Sequence, residues 1–169
     1  MSVRAAIVAL AGLVALAPAL SGCGFTPLYA GAPGTTTGLT HIKVVAPQGR
    51  AGYLVGQSLN DDLGLDATGA PLYRLDLTVN ELRAGHGLNA IAVSQRFELD
   101  LTVGYSLVDL ASGKEVHKGS VTAIASYDSA DQPYAGIAAR QDTESRVAAD
   151  AAQRVEVQVA AWLSSHPAS

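Results

Sequence analysis

Residues able to do chemistry are few and scattered in this 169-residue chain. Its single cysteine, Cys23, excludes an internal disulfide, and one thiolate is too few for a structural zinc site. Three roles remain for it: a small buried apolar residue, a nucleophile, or a covalent attachment point. The four histidines are His41, His86, His117 and His166. None stands four residues from another, and no HExxH or paired Cys/His spacing accompanies them. Gly56-Gln57-Ser58-Leu59-Asn60 misses the nucleophile-elbow pattern at its last position and lies inside a helical pattern. Gly85-His86-Gly87 has no helix after it and reads as a turn, not a phosphate cradle. Asp61/Asp62 and Asp128/Asp131 are the carboxylate pairs that acid–base or calcium chemistry would use, but solvated loop carboxylates are the commoner explanation. An enzyme needs a base, a nucleophile or a metal in a preorganised site. The expectation is a non-catalytic protein with no metal and no cofactor. An enzyme built on the His86 loop is the weakest competing reading.

What precedes Cys23 narrows its role. Met1 to Gly22 reads MSVRAAIVALAGLVALAPALSG, with Arg4 its only charge and an almost pure Ala/Val/Ile/Leu/Gly run from Ala5 to Leu16. A cationic start, a short apolar core and small residues before a cleavage point mark a secretory signal. The run is too short, and too soon broken by Pro18, for a spanning helix of roughly 20 apolar residues. Residues 1–22 are therefore expected to be a cleaved signal peptide. Leu20-Ser21-Gly22-Cys23 resembles the lipobox of bacterial lipoprotein precursors. That resemblance implies an S-diacylglycerol and an N-acyl group on Cys23, the new N-terminus. Several acyl chains, at ~0.8 kcal/mol per buried CH2, anchor firmly where one chain does not. Gly24 stands where an Asp commonly favours inner-membrane retention in such lipoproteins, which points to the outer membrane.

Cleavage leaves 147 residues, the size of one ordinary domain, with ten basic against fifteen acidic side chains. No strong basic field is present to hold nucleic acid. Residues 23–39, rich in Gly, Pro, Thr and Ala, read as the lipidated N-terminus and a flexible tether. A single domain is expected over 40–166, with 167–169 a tail.

Within that domain, HIKVVAP (41–47) reads as a short strand stopped by Pro47. Val55, Leu59 and Leu63 share a helical stripe across Arg50 to Leu63, although Gly52 and Gly56 weaken it. YRLDLTVN (73–80) and RFELDLTVGYSL (96–107) alternate apolar odd with mostly polar even positions, so each is a strand with one buried face. The intervening LRAGHGLNAIAVS reads as a turn-rich connection. Ser112-Gly113 marks a tight turn before a fourth strand, EVHKGSVTAIASY, with Val121, Ala123, Ala125 and Tyr127 inward and His117, beside Lys118, on the solvent face. A long helix then fills 134–165, where Ala148, Ala151, Ala152, Val155, Val159 and Trp162 share a face. Arg140, Glu144, Arg146, Asp150 and Arg154 are expected mainly elsewhere on its surface. The order β-α-β-β-β-α predicts an α+β two-layer sandwich, a four-stranded, mostly antiparallel sheet with two helices on one face.

CGFTPLY, the segment carrying LNDDL, YRLDLTV, RFELDLTVGYSLVDLASGKEVHKGSV and IASYDSADQPYAGIAARQDTESRVAADAAQRV together resemble the lipopolysaccharide-assembly lipoprotein family LptE, in its alphaproteobacterial form. The resemblance spans essentially the whole mature chain. Arg154-Val155-Glu156-Val157-Gln158-Val159 departs from the Leu/Ala-rich stretch that members often carry there. The resemblance implies an outer-membrane lipoprotein that plugs the β-barrel LptD, helps it assemble and assists lipopolysaccharide delivery to the cell surface. Lipopolysaccharide phosphates would call for cationic side chains. Arg83, Arg96, Lys114 and Lys118, which flank the hairpins, are the candidate contacts. The alternative is an auxiliary lipoprotein of an envelope ABC-type lipid transporter, which shares a lipobox and a small α+β layout.

Overall fold

The computed structural model describes residues 39–63, 70–86, 95–129 and 133–166. The expected export signal, Cys23, most of the expected tether, Asp131, residues 167–169 and the side chain of His86 lie outside the described residues. Six elements follow in order: β1 (Ile42–Val45), α1 (Arg50–Leu63), β2 (Tyr73–His86), β3 (Gln95–Asp109), β4 (Glu115–Ser129) and α2 (Pro133–Ser165). This is the expected β-α-β-β-β-α sequence.

The sheet order is β1-β2-β3-β4, with β1 parallel to β2 and the other pairs antiparallel. A parallel pair needs a crossover, and α1 supplies it. Register sets Leu75 opposite Leu107, Leu77 opposite Tyr105 and Val79 opposite Val103. Val103 in turn meets Val121, and Leu101 meets Ala123. Side chains alternate along a strand, so all of these share one face. Both helices cover that face, and one core cluster joins Ile42, Leu75, Leu99 and Leu107 to Val55 and Leu59 of α1 and to Ala151, Val155 and Val159 of α2. Each fully buried leucine there contributes about 1.5–3 kcal/mol. The molecule is an α+β sandwich of two layers. Among the described residues no helix is long and apolar enough to cross a membrane.

The two glycines that lower the helix propensity of α1 have a packing reason. A Cβ on Gly52 would strike the carbonyl of Pro47, and one on Gly56 would sit 2.7 Å from the Ala46 Cβ. They let α1 lie directly on the chain that leaves β1. In α2 the small residues Ala148, Ala151, Ala152 and Ala160 are buried in the same way.

Two expectations need correction. The hairpin strands are longer than alternation suggested, since β2 continues to His86 and β3 begins at Gln95. Gly85, read as part of a turn, pairs with Phe97 inside the ladder. The apolar parity fails there because Glu81 and Arg83, at inward positions, are exposed beyond the core cluster. Nothing apolar is required where the core cluster of the described residues does not reach. Glu144, expected on the surface of α2, is buried.

Candidate functional site

The four cationic candidates do not converge. Arg96 lies opposite both His86 and Asp128, at the end of the β2–β3 hairpin. Lys118 lies opposite Ser106, ten residues along β3 from Arg96. At the rise of an antiparallel strand this separates the two by roughly 34 Å. Arg83 belongs with Arg96 at one end of the sheet and Lys114 with Lys118 at the other.

Alternation also places the first pair on opposite faces. On the helix-bearing side the Arg83 guanidinium sits 5.1 Å from the centroid of Phe97, a cation–π contact. The Phe97 ring stacks on Tyr127 at 5.4 Å and 23°. On the other side Arg96 donates to both carboxylate oxygens of Asp128, at 3.0 and 3.4 Å. The hydrogen bond and then the charge of each partner hold the Asp128 carboxyl below, and the Arg96 guanidinium above, their usual values. Both side chains are more than 60% exposed, so the pair adds little stability.

The second pair frames the β3–β4 turn. Asp109 accepts from the Ser112 backbone N–H at 2.6 Å and from its hydroxyl at 2.7 Å, which lowers the Asp109 pKa. Gly113 follows with a positive φ of 69°. The Lys114 carbonyl then accepts from the Asp109 N–H. Lys118 pairs with Glu115 at 3.3 Å, and Glu115 also accepts from the Ser106 hydroxyl at 2.7 Å. Beside them lies an open groove of about 460 Å³ on the uncovered sheet face, lined by Asp76, Thr78, Gly104, Ser106 and Lys118 among others.

Two arrangements escaped sequence reading. Glu144 of α2 accepts hydrogen bonds from Arg140 and from Arg50 of α1, each at 2.6 Å. Its side chain is 5% exposed, against about half for both arginines. Burial works to raise the Glu144 pKa, but the hydrogen bonds and charges of the two arginines outweigh it and the carboxyl lies below its usual range. The other arrangement surrounds Trp162. Its indole stacks with His117, at 5.6 Å and 12°, and with His166, at 4.7 Å and 10°, while Tyr73 meets it edge-on at 6.4 Å. The Tyr105 hydroxyl donates to Gln158 Oε1 at 2.8 Å, so its lone pair takes the His117 Nε2–H at 3.1 Å. Burial, and then the charge of His166, push the His117 pKa down.

His117 is thus half-buried on the helix side, not on the solvent face as expected. A bulge at the start of β4 sets Val108 opposite Glu115 but Leu107 opposite His117. His117 shares odd parity with Val121 and Tyr127, and that parity was the available signal. Glu144 likewise sits four residues before Ala148, on the buried stripe. Among the described residues no group of three or more His, Cys, Asp or Glu side chains is placed to hold a metal.

Comparison with known proteins gives the geometry a context. No protein-family model matches the chain, and neither does any curated protein. A crystal structure from Caulobacter crescentus CB15, provisionally named a lipoprotein, is 42% identical; the match covers 80% of this chain and 98% of that one, with a TM-score of 0.69. The solution structure of an uncharacterized lipoprotein B from Nitrosomonas europaea is 19% identical over 73% of this chain and 83% of its own, with a TM-score of 0.51, and shares the fold. A minor lipoprotein from Acinetobacter baumannii is 19% identical over 71% of this chain and 91% of its own, with a TM-score of 0.48.

Proposed function

We propose, from the premise that this chain belongs to the same family as the Caulobacter crescentus lipoprotein, that it is a non-catalytic outer-membrane lipoprotein anchored through acylated Cys23. Its role is to plug the LptD β-barrel, to help that barrel assemble, and so to serve lipopolysaccharide transport to the cell surface. The reading draws on the lipobox and on the resemblance of the mature chain to LptE. The structural observation that carries it is the contrast between the two faces of the sheet. One is sealed by α1 and α2, whereas the other bears Thr78, Asn80, Thr102, Ser106, Ser120 and Thr122 and is covered by no element among the described residues. A polar, uncovered sheet suits a barrel lumen that is itself polar. Arg83 and Arg96 at one end, and Lys114 and Lys118 at the other, are too far apart to grip one phosphate together. Any contact with lipopolysaccharide is therefore made separately at the two ends, and Arg83 and Arg96 meet it from opposite faces of the sheet.

Affinity purification from detergent-solubilised membranes is the test. The expected companion is a large outer-membrane barrel, and depletion of the lipoprotein leaves that barrel misassembled. Cys23→Ser moves the chain out of the membrane fraction. Recovery of an inner-membrane ATPase complex without any barrel would overturn the reading in favour of the transporter-accessory role.

A further inference from the structure

We infer that β4 is a self-pairing edge, and that two copies of this chain join there as a two-fold antiparallel dimer when no barrel is engaged. Among the described residues no strand pairs with the outer side of β4, a strand of 15 residues at the end of the sheet. Exposed edges are normally blunted by charge, proline or bulges. Here the bulge and Lys118 protect only the first few residues. From Gly119 to Tyr127 the sequence GSVTAIASY has no charge and no proline, and the register with β3 runs without a further break. Such a stretch is a template for another strand.

Its charges say which strand. Between residues 118 and 128 the only ionisable charges are Lys118 at one end and Asp128 at the other. Parallel self-pairing in register sets like against like. Antiparallel self-pairing about Ala123 sets Lys118 of each copy opposite Asp128 of its mate, so the attraction occurs twice. The same register places Ser120 opposite Ser126 and Thr122 opposite Ile124, whose side chain is 58% exposed in the single chain. The neighbouring helix leaves room for this. A groove of about 410 Å³ runs along the edge between Val121 and Thr122 of β4 and Gln153, Arg154, Val157 and Gln158 of α2. It lies beside the two-fold axis, where the partially exposed Val157 finds an apolar neighbour in the second copy.

The full-length lipidated chain, kept in its own envelope and expressed in excess over any barrel, carries the test. Residues 122 and 124 stand opposite one another in the paired strands, within disulfide range. Thr122→Cys combined with Ile124→Cys, oxidised with copper phenanthroline, is expected to give a covalent dimer on a non-reducing gel. Neither the unsubstituted chain nor Thr102→Cys on the central strand does so. Lys118→Asp in the double-cysteine background reduces the dimer several-fold, and adding Asp128→Lys restores it. The inference is overturned by any of three results: no dimer, equal yield from Thr102→Cys, or a β4 cross-link to a different polypeptide. Co-purification of a barrel is read separately, so failure here leaves the proposed function standing, and the reverse also holds.

Discussion

Replacing Glu144 with Gln tests the idea that one buried carboxylate couples the two helices. A charge-assisted hydrogen bond is worth about 1.5–3 kcal/mol, and Glu144 accepts one from Arg50 and one from Arg140. Gln keeps the size and one acceptor, so one bond and the charge are lost. Both arginines are about half exposed and regain water when released, which reduces the cost. The expected loss is about 1.5 kcal/mol for Glu144→Gln and about 3 kcal/mol for Glu144→Ala, by urea unfolding of the mature Cys23→Ser chain at neutral pH. The two arginines should contribute unequally. Arg140 is an i,i+4 neighbour, worth about 0.3–0.5 kcal/mol, whereas Arg50 joins α1 to α2 across 94 residues. Acid supplies an independent check. The Glu144 carboxyl lies below its ordinary range when folded, so its contribution is complete above the unfolded value of about 4.3 and fades as pH falls through the folded one. The gap between the native chain and Glu144→Gln therefore narrows in acid. A gap under about 0.5 kcal/mol at neutral pH, or one unchanged in acid, would refute the clamp.

Two further outcomes follow from close contacts in the sheet. A Cβ at residue 119 would lie within 3.0 Å of three atoms of Tyr105, whose hydroxyl already holds His117 and Gln158, so Gly119→Ala costs about 1–3 kcal/mol. Gly104→Ala meets only the Thr78 hydroxyl, which can rotate away, and the same unfolding assay should show a smaller loss. Trp162 is the only tryptophan, so its fluorescence reports the stack directly. Because burial lowers the His117 pKa, a quenching step should appear on acidification below the ordinary histidine value of about 6.5, with stability lost as pH falls through the same window. His117→Asn should abolish that step; its persistence would exclude His117 as the group responsible.

Sequence pattern was most informative where a layer covers a layer. The odd positions of β2 and β3 from Tyr73 to Val79 and from Leu99 to Leu107 face two helices, and solvent exclusion writes that burial as strict alternation. The pattern of β2 ends at Glu81, where its side chains leave the core cluster, and the remaining strand is held by backbone pairing and by the contact of Arg83 with Phe97, which apolar alternation does not display. Glu144 and His117 were misplaced for a different reason. Each was judged by its chemical type although its spacing put it on a buried face, and each is tolerated there by long-range partners that spacing cannot display. The cationic candidates stand near the two hairpin ends. That the two lie at opposite ends of the sheet requires the register, which fixes distance as well as direction.

The alanines of α2 carry a consequence for girth. Ala148, Ala151, Ala152 and Ala160 alternate with Val147, Val155, Val159 and Leu163 on the buried face of this helix, and where the methyl groups stand it packs with the smallest side chains an L-residue can offer. Enlarging any of them lifts the helix away from the sheet and thickens the two-layer domain. A partner that encloses this protein would register that swelling even where the fold survives it, which makes the smallest side chains in the interior the gauge of what the molecule can fit inside.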